Sequence, residues 1–405
     1  MPLSRLLLAL FAGCLTTLPA ADWQQWRGPE RDGISKETGL LQKWPEGGPP
    51  LAWKATGLGE GFASVAVANG RVITQGQASG GQAIIAFDEA TGRQLWKAPN
   101  GEAYLDRRGG GPRGTPTIDG ETVYVLGSNG SLVALEAASG KKLWNTNLLS
   151  RFNGRNINWG ISESPLVDGR QLIVSPGASG ASVVALDKNN GNVIWKSLDD
   201  EAGYSSAIVT EAGGVRQYIL LTGEAAVSVR ADNGKQLWRY DRVSNSTANI
   251  ATPVIRGNRV FVSSDYGTGG GLLELSANAG GVDAKEVYFN RDMRNHYNTA
   301  VLIGDHLYGY SSQILTCMNF ETGAVAWQDR AVGKGQVIAA EGLLYLLSEG
   351  GVVGLAEVTP EGYRERSRFS IPNGEYPTWT LPVVANGRLY LREQDTLYAY
   401  DISAR

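Results

Sequence analysis

One short pattern recurs along most of this chain and restricts it to a repeat architecture. In Ala185-Leu186-Asp187-Lys188-Asn189-Asn190-Gly191-Asn192-Val193-Ile194-Trp195 an apolar strand ends at an acidic residue, a glycine follows, and a tryptophan stands four residues later. The same spacing joins Gly92 to Trp96, Gly140 to Trp144, Gly234 to Trp238 and Gly323 to Trp327. Asp, Glu or Asn at the strand end accepts the amide hydrogens of a tight turn. Glycine takes the positive φ that closes the turn at little cost. The tryptophan on the returning strand then reads as a core wedge rather than a ligand platform, since truncating a core Trp costs about 3–5 kcal/mol.

A second marker counts the units. Gly70, Gly120, Gly169, Gly214, Gly257, Gly304, Gly342 and Gly387 each lie between two β-rich runs, several as Asn-Gly or Asp-Gly, a strong hairpin signal. Their spacing runs from 38 to 50 residues. Each unit therefore reads strand, glycine turn, strand, short loop, strand, glycine turn, strand. Four antiparallel strands at this period predict a propeller blade, and eight markers predict eight blades. The fifth unit puts Tyr288 where the Trp should stand, and the seventh ends in Arg366-Ser367-Arg368-Phe369. The eighth ends one strand short at Leu397 to Asp401, whereas Leu51-Ala52-Trp53-Lys54 is a fourth strand without a unit. That strand is expected to complete the last blade, closing an all-β ring that leaves no open sheet edge.

Three segments follow. Residues 1–21 hold Arg5, an apolar run and Ala20-Ala21, the pattern of a secretory signal peptide. Phe11-Ala12-Gly13-Cys14 resembles a lipoprotein cleavage box, which would put a lipid anchor on Cys14. Residues 22–50 carry Trp23, Trp26, Trp44 and four prolines and predict an irregular extension anchored across the sheets by its tryptophans. Residues 51–405 form the propeller. Removal of the leader leaves 36 basic against 40 acidic residues, a mildly acidic balance that gives no reason to expect nucleic acid. Cys317 is then the one cysteine left. No internal disulfide can form, and in an apolar strand it reads as an inert buried thiol.

The Gly-to-Trp units and the count of eight resemble the PQQ-repeat propeller family from Leu51 to the C-terminus. That resemblance implies one of two branches. Quinoprotein dehydrogenases of alcohols or sugars hold pyrroloquinoline quinone (PQQ) and Ca²⁺ on the axis. BamB-like proteins are non-catalytic envelope lipoproteins of the outer-membrane assembly machinery. The chain lacks the adjacent cysteines that the dehydrogenases carry over their cofactor and offers no assignable Ca²⁺ ligand set, so no catalytic residue and no metal ligand is carried over. The expectation is an exported periplasmic or envelope scaffold that is monomeric and binds an envelope protein. The alternatives are a dehydrogenase using PQQ with Ca²⁺, and a glycan-binding module.

Site candidates come from the loops that lead from one blade to the next, because those loops feed the central channel. They are Arg113, Asn158, Trp159, Glu163, His296, Lys334 and Trp379. These loops carry a net positive charge on an acidic body, which favours an anionic ligand. Glu163 beside Arg113 reads as a structural ion pair rather than a base. His296 lacks a second ligand at metal-binding spacing.

Overall fold

The computed structural model describes residues 22–404. The signal peptide and Cys14 lie outside the described residues. Eight antiparallel sheets stand around one axis, and seven have their four strands in chain order. The first blade shows the plan: Ala66–Ala68 innermost, then Arg71–Ala78, Gly81–Asp88 and Gln94–Pro99 outermost. The eighth blade takes Val383–Ala385, Arg388–Glu393 and Thr396–Asp401 from the end of the chain. Its fourth strand is Leu51–Ala55, antiparallel to Thr396–Asp401. The expected closure is therefore made, and the last open edge is sealed by the chain's own beginning.

The repeat pattern is a clasp between neighbouring blades. Five rings lie against the turn glycine of the next blade: Trp53 on Gly92, Trp96 on Gly140, Trp144 on Gly191, Trp195 on Gly234 and Tyr288 on Gly323. The ring's polar hydrogen is donated to the same turn region. Trp96 Nε1 reaches Ala137 O at 3.0 Å, Trp144 Nε1 reaches Lys188 O at 2.8 Å and Trp327 Nε1 reaches Thr359 O at 2.8 Å. Tyr288 Oη does the same to Phe320 O at 2.9 Å, so a phenol replaces the indole without losing the bond. Trp53 Nε1 to Glu89 O, 2.9 Å, carries the clasp across the closure. Trp238 departs from the scheme. The fifth blade has a long hairpin, and Trp238 bonds Gln217 of its own blade.

Residues 39–50 of the extension lie against the seventh and eighth blades as expected, with Trp44 N donating to Ser367 Oγ at 3.0 Å and its ring 5.2 Å from that of Phe369, whereas the segment 22–38 does not lie across the sheets. It enters the axis from the face that bears the hairpin glycines and touches all eight blades. Trp23 bridges Val67 of the first blade, and Gln24 O accepts the Ile118 amide of the second. Arg31 donates to Ser164 O and Pro165 O of the third blade and Ala207 O of the fourth. Trp26 Nε1 bonds Thr252 Oγ1 of the fifth at 2.9 Å. Arg27 donates to Thr299 O and Ala300 O of the sixth at 3.0 and 2.9 Å. Ile34–Ser35 pairs in parallel with Gly335–Ala340 of the seventh, and Glu37 accepts the Asn386 and Gly387 amides of the eighth. The physical reason is accounting. Eight inner strands converge on the axis with carbonyls that no neighbouring strand can reach, and buried carbonyls need donors. Two guanidiniums, each rich in N–H donors, supply them. Both are 3% exposed or less. Burial pushes Arg27 down to about 10 and Arg31 to about 9, so both stay charged at neutral pH.

Candidate ligand-binding funnel

The opposite face, where the inter-blade loops gather, opens into a cavity of about 140 Å³ on the axis. A register rule builds its wall. The residue four positions ahead of the inner strand is Phe62 in the first blade, Arg113 in the second, Ser162 in the third and Tyr204 in the fourth. It is Ile250, Tyr297 and Trp379 in the fifth, sixth and eighth. All seven line the cavity, Gln336 stands for the seventh blade, and Trp26 of the extension also lines it. Two residues nearer each inner strand a hydroxyl girdle links the blades. Thr115 N donates to Ser164 Oγ at 2.8 Å, Ser164 N to Ser206 Oγ at 2.9 Å and Thr252 N to Thr299 Oγ1 at 2.9 Å. Strand pleating puts both positions on one side of the chain, which is why two rings of side chains stack along the axis.

The wall is mostly aromatic. Phe62 and Trp379 have ring centroids 4.8 Å apart, Trp379 and Tyr297 5.8 Å, and Trp159 and Tyr204 5.7 Å. His296 Nε2 lies 2.8 Å from Tyr266 Oη. Burial, and then the charge of Lys334, push the His296 imidazole down to about 4, so it is neutral at pH 7. Two cations stand in the wall. Arg113 is held between Phe62 and Tyr104, 5.3 and 4.9 Å from their centroids. It donates to Gly111 O and Gly109 O. Arg108 stands over Trp159 at 5.8 Å. Neither has a carboxylate partner among the described residues, and burial lowers the Arg113 pKa.

Of the sequence candidates, Arg113, Trp159, His296 and Trp379 line the cavity. Asn158 turns away to a polar groove beside it, and its carbonyl accepts Tyr104 Oη at 2.7 Å. Lys334 lies behind the wall, 3.2 Å from Glu349 Oε1 and 5.1 Å from the Tyr297 centroid. Glu349 in turn accepts Trp379 Nε1 at 2.8 Å, so Lys334 holds the wall indirectly. Glu163 is 3% exposed and accepts the Ser175 amide at 2.5 Å. The expected pairing with Arg113 is corrected: the cation whose field reaches Glu163 is Arg31 of the extension, and burial outweighs it, pushing the carboxyl up to about 7. Sequence reasoning left Trp26, Phe62, Tyr266 and Gln336 out of the cavity. The register rule would have found Phe62. Nothing local marks Trp26, which arrives from a remote part of the chain.

The donor set also bears on a quinone cofactor. Ca²⁺ takes six to eight oxygen ligands, carboxylates prominent among them. No Asp or Glu lines the cavity, and no cluster of three His, Cys, Asp or Glu exists among the described residues. The residues present do not fit a Ca²⁺-bridged quinone. Cys317 is fully buried in Ile314–Asn319, its thiol pushed up to about 11 by burial.

A closed ring of eight four-stranded blades around an aromatic axial funnel defines a propeller of the PQQ-repeat class. The chain belongs to the family described as outer membrane protein assembly factor BamB, whose family model matches residues 46–158 and, overlapping them, 80–329. It is similar to BamB of Burkholderia pseudomallei, 28% identical over 225 residues, 53% of each chain. It is also similar to a quinoprotein ethanol dehydrogenase of Pseudomonas aeruginosa, 28% identical over 150 residues, 34% of this chain and 24% of that one. The chain thus spans about half the length of the first of these relatives and less of the second. Among solved structures, BamB of Moraxella catarrhalis matches with TM-score 0.63 and 14% identity, over 87% of this chain and 99% of that one. A quinohemoprotein alcohol dehydrogenase of Comamonas testosteroni matches with TM-score 0.66 and 12% identity, over 95% and 81%. These structural likenesses show the fold and no more.

Proposed function

We propose that this protein is an exported envelope propeller that binds a protein partner without transforming it, in the manner that the name of its BamB relatives implies. The observation that carries the reading is the funnel's composition: aromatic faces and two cations without carboxylate partners, with no carboxylate among the lining residues to act as base or metal ligand. Such a wall recognises. General acid–base work needs a titratable group tuned near the working pH, and His296, the one lining residue of a type that ordinarily titrates near neutrality, is held at about 4. Residues 1–21 act in this reading as the export signal, with Cys14 as the candidate anchor, and the working unit is a monomer.

The test is affinity capture from detergent-solubilised bacterial envelope, with chain from Asp22 as bait, beside a PQQ-plus-Ca²⁺ titration with an alcohol and an electron-accepting dye. Outer-membrane assembly proteins should be retained at near-stoichiometric yield, and dye reduction should stay at the level of the blank. Saturable quinone binding with Ca²⁺-dependent dye reduction would replace this reading with the dehydrogenase one.

A further inference from the structure

The funnel is blind. Trp26 lies at its base, and Arg27 and Arg31 fill the axis beyond, bonded to the carbonyls just ahead of the inner strands of the third, fourth and sixth blades. A polypeptide cannot be threaded through such a site. What enters must be a chain end or the tip of a tight turn.

Three features say what that tip carries. The wall offers aromatic faces from Phe62, Trp159, Tyr297 and Trp379, which favour a flat apolar ring. Arg108 and Arg113 present guanidiniums that make no salt bridge among the described residues, Asp106 acting on Arg113 only through its field, and such groups bind carboxylates through paired N–H donors. Gln336 adds a third requirement. It is 2% exposed, and its Nε2 donates to Tyr297 O at 3.2 Å and Trp379 O at 3.0 Å. Those two carbonyls fix the amide's orientation and leave Oε1 as a buried acceptor without a donor. A buried polar atom left unpaired is costly, and a backbone N–H would satisfy it.

Resting on the binding reading above, we propose that the funnel takes an aromatic residue with an adjacent carboxylate, presented on the end or tight turn of a partner polypeptide. Ring, carboxylate and backbone N–H together are what a C-terminal aromatic residue carries. An internal Glu-Phe turn carries the same groups from a side chain. The two sources share one chemistry and separate by experiment.

The chain from Asp22 is titrated calorimetrically with N-acetyl-Ala-Ala-Phe as free acid, with its C-terminal amide, and with N-acetyl-Ala-Glu-Phe-Ala-amide. At least one carboxylate-bearing peptide should bind with a dissociation constant below about 1 mM, and at least tenfold more tightly than the uncharged amide. Arg108→Gln, at an exposed position where folding is not at stake, should erase most of that tenfold preference, and Arg113→Gln should do the same. A preference for the free acid assigns the site to a chain terminus. An equal or stronger response to the Glu-Phe peptide assigns it to a turn. Equal binding of the first acid and its amide, together with no response to the Glu-Phe peptide, overturns the proposal, as does a preference that Arg108→Gln leaves intact. If wild-type chain still captures envelope proteins in that case, the partner binds elsewhere on the propeller and the scaffold reading survives. If capture fails as well, both readings fall.

Discussion

Gly234 and Gly169 both sit in tight turns at positive φ, +72° and +57°, yet they answer to different demands. A Cβ on Gly169 meets nothing within 4 Å, whereas one on Gly234 collides with the Trp195 ring of the preceding blade. Gly169→Ala should therefore cost only the left-handed penalty, roughly 1–2 kcal/mol. Gly234→Ala should cost more, because the clasp must also open, and urea denaturation of the two variants measures the difference. Equal losses would mean that Trp195 is not a wedge. Glu163 supplies a pH-dependent prediction. Its folded pKa of about 7 lies above the ordinary 4.5, so the folded chain holds a proton that the unfolded chain has released between those values. This group's contribution is full below about pH 4.5 and declines as pH rises through 7. Glu163→Gln keeps an acceptor for the Ser175 amide and removes the titration. Stability of the variant relative to wild type should rise between pH 5 and pH 8. A fall over that interval would show that attraction to Arg31 outweighs desolvation.

Two elements from the N-terminal side hold the ring together in different ways. Leu51–Ala55 covers the edge of Thr396–Asp401 and sends Trp53 onto the first blade. Residues 22–38 tie the inner strands at the axis, and Trp44 packs on Tyr345 and Phe369 of the seventh blade. A chain that begins at Thr56 loses both. It exposes an unpaired strand edge of the kind that recruits other chains, and should elute from size exclusion as oligomer or aggregate. A soluble monomer with native circular dichroism would refute the closure argument. Arg27→Met is the finer test of the axial tie. It strands the carbonyls of Thr299 and Ala300, and leaving buried polar groups unpaired costs about 1–3 kcal/mol each, so the loss should exceed that of a surface Arg→Met change. The clasps and the closure were legible in sequence, because both depend on local spacing: four residues from glycine to tryptophan, and one strand missing at one end and spare at the other. The path of the axial segment 22–38 was not. Its partners are backbone carbonyls, and a carbonyl leaves no signature in a sequence.

At the scale of the molecule, the funnel has no carboxylate in its lining, so millimolar Ca²⁺ should leave the thermal midpoint unchanged. A ligand that binds only the folded state stabilises it by RT ln(1 + L/Kd), with L the free ligand concentration, and so raises that midpoint. A Ca²⁺-dependent rise would disclose a site that the described donor set does not contain. Part of the funnel could be read in advance. Arg113, Trp159, His296 and Trp379 come from loops that any propeller turns toward its axis, and Phe62, Tyr204 and Tyr297 share the register of Arg113 and Trp379. Asn158, Glu163 and Lys334 sit in the same loops, but each is turned or shielded by a neighbour: Asn158 toward the polar groove, Glu163 onto the Ser175 amide, Lys334 onto Glu349. The sequence by itself determined the number of blades, the strand that seals them and the clasp between them, because turn chemistry and strand period act over a few residues. The tertiary structure alone decided that the axis is blocked, that two arginines of the extension block it, and which loop side chains face the cavity. Those outcomes depend on which backbone groups are left unpaired once eight sheets converge.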